Sequence, residues 1–430
     1  MNELKPKHFQ QATQTADYLN KAAGKMRVLS SVEWRADFKK PFLEKAKLPN
    51  PKYKPIDTSD ARELITKAQA LIGTDNEVFD WLRRVSITLE QTACLIETRG
   101  TSEFFHYSSE IFGHPTRLLL DQKTRVLDLA RHLDSALEDL NFDKLVIEGF
   151  EEVLTAEEFA DALRARLDYH FGKASPKVVL APNLSSKAAA NSKRIRIRSS
   201  ASFTPRDVEQ LLHHEALIHA ATGKNGQGQK HFKLLGRAHA GTTEIQEGLA
   251  VFAEIITGAM DPMRFSRLSG RVLAIEMAIQ GADFKEVFDF FVERNDDPSQ
   301  SYENTRRIFR GGVISGGAPF TKDMVYLNGL LRVHNFMRTV VKLNRADLIR
   351  VLFSGKMDIE DVPALAQLAH NGRLSAPKFM PPWVKDLRFL VSYMAYSGFL
   401  NQVKLPGFQS YYTKELDDVP VVWNFGHKKV

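Results

Sequence analysis

The stretch PRDVEQLLHHEALIHAATG, residues 205–223, places His213, His214, Glu215 and His219 inside a helical pattern. Its start is well marked. Thr204 can cap the first turn, Pro205 takes the first helical position, where no N–H is needed, and Asp207 complements the positive helix end. Val208, Leu211, Leu212, Leu217 and Ile218 supply apolar contacts, and Gly223 is the expected stop. In the pattern H-E-x-x-H two imidazoles lie four apart on one helical face and can share a metal. Here His214 and His219 are five apart. At about 100° per residue they diverge by roughly 140°. They converge if the helix carries a π-type bulge, which absorbs one residue. The alternative is a partly buried histidine cluster with no metal.

A third donor bears on the choice, because open catalytic zinc sites take three protein ligands and leave one position free. The next helical segment, GTTEIQEGLAVFAEIITG (241–258), offers Glu244, Glu247 and Glu254 at spacings of three and seven. Acids on a helix with Ile245, Leu249, Phe252 and Ile255 are costly to bury unless paired or metal-bound. Glu244 and Glu247 also fit as first-turn acids favoured by the helix dipole. Taken together, H-E-x-x-x-H and a glutamate 28 positions after His219 match the two-helix layout of glutamate-type zinc peptidases. Upstream, KRIRIRSS (193–200) alternates charge with Ile195 and Ile197, as a strand with one wet face does. It is expected at a sheet edge, where such enzymes lay substrate backbone.

The 430 residues, 43% hydrophobic and 26% charged, can build full-sized cores without staples. The single cysteine, Cys94, excludes an intrachain disulfide and a cysteine-based zinc site. Any tightly held metal therefore rests on His, Asp or Glu. The N-terminus lacks the apolar stretch of a signal peptide, and no apolar run reaches the ~18 residues of a membrane span. A cytoplasmic location, with no membrane partner, is expected. The net charge of +7 is spread over KPKHF, KKPFLEKAKLPNPKYK, SKRIRIRSS and the terminal HKKV, and no nucleic-acid-binding signature accompanies it. Nucleic acid is not an expected partner.

Residues 1–58 read as an N-terminal segment and a linker rich in Pro and Lys (36–58). Residues 59–170 read as a helical subdomain, with helical patterns at 60–73, 78–100, 116–137 and 156–172. Residues 171–430 read as the catalytic region with C-terminal helices. It opens with short strands at KVVLAP and KRIRIRSS and is interrupted by RGGVISGGAPF, whose glycines could admit a ligand to the backbone. The fold class is α+β and predominantly helical, gluzincin-like, with a small sheet beside the zinc-binding helix.

HEALIH and QEGLA resemble the H-E-x-x-x-H and E-G-L-A signatures of the microtubule-associated tyrosine carboxypeptidase family, whose bacterial relatives are called flavohaemoglobin expression-modulating QEGLA motif proteins. EIFGHP (110–115), RRIFRGG (306–312) and FTKDMVYLNG (320–329) are also similar, and the resemblance runs from about residue 20 to beyond 390. It implies one Zn2+ per chain held by His214, His219 and Glu247, with Glu215 as general base on a zinc-bound water. Glu244 and Glu254 are candidates to orient an imidazole, and His213 is a helix neighbour. Tyr326 is a candidate oxyanion donor. Arg307, Arg310 and Lys322, in the matching stretches, are candidates to hold a substrate carboxylate. The implied activity is zinc-dependent release of a C-terminal residue, tyrosine or another aromatic, from a peptide or protein tail, acidic tails among the candidates. Two rivals stay open: a zinc peptidase of endo- or aminopeptidase mode, and a non-enzymatic regulator of gene expression.

Overall fold

The computed structural model describes residues 5–34, 36–74, 76–138, 153–182, 184, 186–294, 297–400 and 405–416. The terminal HKKV lies outside them. The described chain is mostly helical, with one three-stranded mixed sheet. No described helix is long and apolar enough to cross a membrane.

Local chemistry sets several helix starts. Asn76 accepts from the Val78 N–H to open Glu77–Glu97, and Thr155 forms a reciprocal capping box with Glu158 to open Ala156–Phe171. The helical pattern at 116–137 is realised only as Val126–Glu138. Ahead of it, Asp121 accepts from the backbone N–H groups of Lys123 and Thr124 and from the Thr124 hydroxyl. That local turn takes donors a helix would have needed.

The strands are β1 (Lys177–Ala181), β2 (Ala188–Ala190) and β3 (Arg194–Arg198), in the order β1-β3-β2. β1 runs parallel and β2 antiparallel to β3. KRIRIRSS therefore supplies the central strand, not the edge expected from its alternation. Ile195 and Ile197 are fully buried, and both neighbours satisfy its backbone. The edge facing the histidine helix is β2, whose Ala188 is buried.

Two apolar clusters form the interior. The larger draws on residues from Ala12 to Met394 and includes Phe232, Phe252, Phe309 and Phe320. The smaller joins the Ala156–Phe171 helix, the sheet and the histidine helix, through Phe159, Ile195, Phe203, Leu212 and Leu217. Phe159 and Phe203 stack at 4.1 Å between centroids. The histidine helix thus has one side in each cluster: Leu217 in the smaller, Ile218 in the larger.

One close crossing positions the rest. The Ala240–Ile256 helix packs on the Val325–Lys342 helix where Gly248 meets Gly329. A Cβ on Gly248 would lie 2.1 Å from the Gly329 carbonyl carbon, and one on Gly329 would lie 2.1 Å from the Glu244 oxygen. Only glycine lets the two backbones approach this closely.

Candidate metal centre and its cleft

The helix opens with the expected Thr204 cap, to which Asp207 adds the reciprocal bond of a capping box, and runs as α-helix over Pro205–Leu211. It then becomes a π-helix over Leu212–Ala220 and returns to α-helix over Ala221–Gly228. Gly223 does not stop it. Its lack of a side chain instead lets the helix pass Ser192, whose Cβ would lie 3.2 Å from an added Cβ. In a π-helix the hydrogen bonds reach i→i+5, so residues five apart share a face. That is the spacing of His214 and His219, whose rings lie 4.9 Å apart, edge to face.

Glu247, on the second helix, completes the group. Its Oε2 lies 3.5 Å from His214 Nε2 and 3.6 Å from His219 Nε2. The three donor atoms fall within 4.8 Å of one another, so these residues could hold a metal ion. Two imidazoles and a carboxylate are a fitting donor set for zinc. Glu254, fully buried, accepts from His214 Nδ1–H at 2.6 Å and so directs Nε2 at the common point. Glu254 is itself held by Arg264 through two hydrogen bonds, at 3.0 and 2.9 Å, and by Gln210 at 3.1 Å.

The electrostatics are those of a site built for a cation. Burial opposes charge on Glu254, yet Arg264 and His214 hold its carboxyl down at about 2. Glu247 is likewise kept well below the ordinary range, against burial, by Lys322 and the two histidines. Burial would lower His214, but Glu247 and Glu254 raise it to about 10. Two anions thus hold a proton on His214 where a metal would take its place. His213 faces elsewhere; burial and His170 depress it to about 4.

Glu215 is buried, follows His214 in the π-helix and lines the same cleft. Lys322 donates to Glu247 Oε1 at 3.0 Å and to the Tyr326 hydroxyl at 3.3 Å. It therefore sits behind the metal group as a partner of Glu247. Arg307 donates twice to buried Asp323, at 2.7 and 2.8 Å. Arg310 differs from both. It is buried, its Nε has no hydrogen-bond partner, and among the described residues no carboxylate lies within ion-pair distance of it. It rests over the Phe320 ring at 5.7 Å and lines the cleft. Glu244 is turned away from the histidines. It accepts from Asn328 at 2.8 Å and Arg332 at 2.5 Å, and Arg332 also holds Asp358 and Glu360. Three glycines of RGGVISGGAPF meet protein atoms: a Cβ on Gly311 would strike Phe104 and Val32, one on Gly312 the Ala318 carbonyl and one on Gly316 the Gly281 carbonyl, whereas one on Gly317 would meet nothing within 4 Å.

The cleft encloses roughly 1360 Å³, and fourteen Lys and Arg line it against four Asp and Glu. That imbalance favours an anionic occupant. Arg264, Arg271 and Lys356 belong to it and carry no sequence signal, since each reaches the site from a distant segment. Arg271 lies 3.6 Å from Asp323 with its Nε unpartnered by a hydrogen bond. Burial lowers the Lys356 ammonium to about 8, with Glu247 and Glu215 opposing the fall.

A π-helix that brings two histidines five apart onto one glutamate of the following helix, beside a buried Glu215, is the donor arrangement of a metallopeptidase. The sequence match agrees with that class. Residues 36–402 match the model of the microtubule-associated tyrosine carboxypeptidase family, and the chain belongs to that family. Membership implies a tyrosine carboxypeptidase-type metallopeptidase acting on the C-terminus of a peptide or protein. A comparison with curated proteins finds no match. Among solved structures, the "putative lipoprotein from Colwellia psychrerythraea" is 14% identical, with a TM-score of 0.42 over 73% of this chain and 63% of that one. A second, described as "BsuCP Crystal Structure", is 9% identical, with a TM-score of 0.37 over 91% and 98%. Neither likeness is close enough to carry an argument.

Proposed function

We propose that the chain is a zinc-dependent, gluzincin-like carboxypeptidase that releases a C-terminal aromatic residue, tyrosine foremost. The observation that carries the carboxypeptidase mode is Arg310. A buried guanidinium with no carboxylate at ion-pair distance among the described residues, in the cleft of the metal group, suits a substrate α-carboxylate. Arg271 supports it from the same side. Met26, Trp34, Leu89 and Phe112 add apolar wall to the cleft, which supports an aromatic side chain at the cleaved end.

His214, His219 and Glu247 would hold the zinc, which when bound polarises a carbonyl and acidifies water. Glu215 accepts the proton of the attacking water and returns it to the departing amine. Glu254 and Arg264 keep the His214 ring fixed. The Tyr326 hydroxyl, next to Lys322, is the donor for the developing oxyanion. Lys322 and Arg307 hold Glu247 and Asp323 in place and leave the carboxylate to Arg310. The backbone of β2, the free edge beside the histidine helix, supports the upstream peptide.

The test is zinc content by elemental analysis on wild type and His219→Ala, paired with tyrosine release from a peptide ending in Tyr. About one zinc per chain, lost in the variant together with tyrosine release, is the expected result. Zinc with cleavage inside the peptide or at its N-terminus would replace the carboxypeptidase mode. A zinc-free wild type would remove the mechanism and favour the non-enzymatic reading.

A further inference from the structure

We propose that the chain forms a symmetric dimer, in which the Arg388–Leu400 helix packs against the same helix of a second copy through an uncharged aromatic face.

The two sides of this helix differ. Leu390 and Met394, one turn apart, are buried, and the helix rests on the Val325–Lys342 helix. On the other side lie Phe389, Tyr396, Phe399 and Leu400, each 45–62% exposed, with exposed Ser392 and Ala395 between them. At about 100° per residue these six fall within roughly 140° of arc. Tyr393 stacks on Phe389, with 6.3 Å between ring centroids, at the edge of that face. The Leu405–Leu416 helix that follows exposes Phe408 as well.

Charge selects the occupant. From Phe389 to Leu400 there is no Asp, Glu, Lys, Arg or His, in a chain that is 26% charged and carries a net +7. An acidic partner or an anionic lipid surface would find no cation on this face, and Arg388, at its N-terminal end, is paired with Asp386. Two copies at +7 repel over most of their surface and approach best where neither carries charge. An antiparallel crossing sets the two Arg388 at opposite ends, on the order of 20 Å apart along the axis.

Area agrees with a second copy. The four large side chains leave about 100 Å² each in water, and with Ser392 and Ala395 the face comes to on the order of 500 Å². A symmetric pair buries twice that, about 1,000 Å², which is where specific interfaces begin. Left open, the face would rank with the larger apolar patches of a monomer.

Sedimentation equilibrium of the full chain at micromolar concentrations is the test. Wild type is expected at twice the 48.6 kDa chain mass. Y396E and F399E, which set like charges across the two-fold axis, should each weaken association by about tenfold or more. Both positions are mostly exposed, so circular dichroism should match wild type. L120E, at an exposed leucine elsewhere, should leave the dimer intact. Added salt should not dissociate it, because no ion pair holds it and screening relieves the repulsion. A wild type that is monomeric throughout, or a dimer that survives both Y396E and F399E, would overturn the proposal. So would a monomer that binds phosphatidylglycerol vesicles and loses them in F399E, which would give the face to a membrane.

Discussion

Gly248 and Gly329 face each other so closely that a Cβ on Gly248 would lie 2.1 Å from the Gly329 carbonyl carbon. The contact lies one residue after Glu247 and three after Tyr326, so it sets the distance between the metal group and Lys322. Gly248→Ala should therefore disturb both stability and the site. We expect a loss of about 1–3 kcal/mol, typical of overpacking, together with weaker metal binding. Chemical denaturation and chelator competition measure the two effects. An alanine variant with unchanged stability would show that the helices can part without cost.

Glu215→Gln removes the proton acceptor while leaving the three donors in place. Hydrolysis should fall by about 10²–10⁴ at least. Zinc stoichiometry should stay at the wild-type value, which separates this variant from His214→Ala. Substantial activity in the glutamine variant would mean another base does the work.

Glu254 acts through His214, so its loss should appear in affinity before it appears in chemistry. Glu254→Gln is expected to weaken zinc binding by about 10–100-fold. Competition with a metal indicator reads that directly. A variant that binds zinc as tightly as wild type would leave the 2.6 Å contact to His214 with no part in metal binding.

Arg307 and Arg310 lie three residues apart and should fail in different ways. Arg307→Gln strips buried Asp323 of its bidentate partner and should cost about 3–5 kcal/mol of stability. Arg310→Gln breaks no ion pair among the described residues and should mainly raise KM, with wild type correspondingly poor on peptides amidated at the C-terminus. Thermal melts beside steady-state kinetics test the pair. Equal effects of both variants on KM would return the carboxylate site to the whole cluster.

The histidine helix was legible in the sequence to the level of its cap, its apolar face and its need for a π-type turn, because each is a property of neighbouring residues. A five-residue spacing has one way to converge, and Leu212–Ala220 takes it. The sequence likewise determined the mostly helical class, the strands at 177–181 and 194–198, and the QEGLA resemblance that singled out Glu247. Strand order was not legible: KRIRIRSS reads the same at an edge or in the centre, since alternation reports which face is wet and not how many neighbours pair. Nor were the partners of the charges. Lys322, Arg307 and Arg310 look alike along the chain, and only packing gives Lys322 to Glu247 and Arg307 to Asp323 while leaving Arg310 with no carboxylate at ion-pair distance among the described residues. The same holds for Glu244, taken by Arg332, and for Lys356, brought beside the metal group from more than a hundred residues away. Local periodicity and capping are short-range forces written in sequence. The pairing of buried charges depends on distances that exist only once the helices have packed.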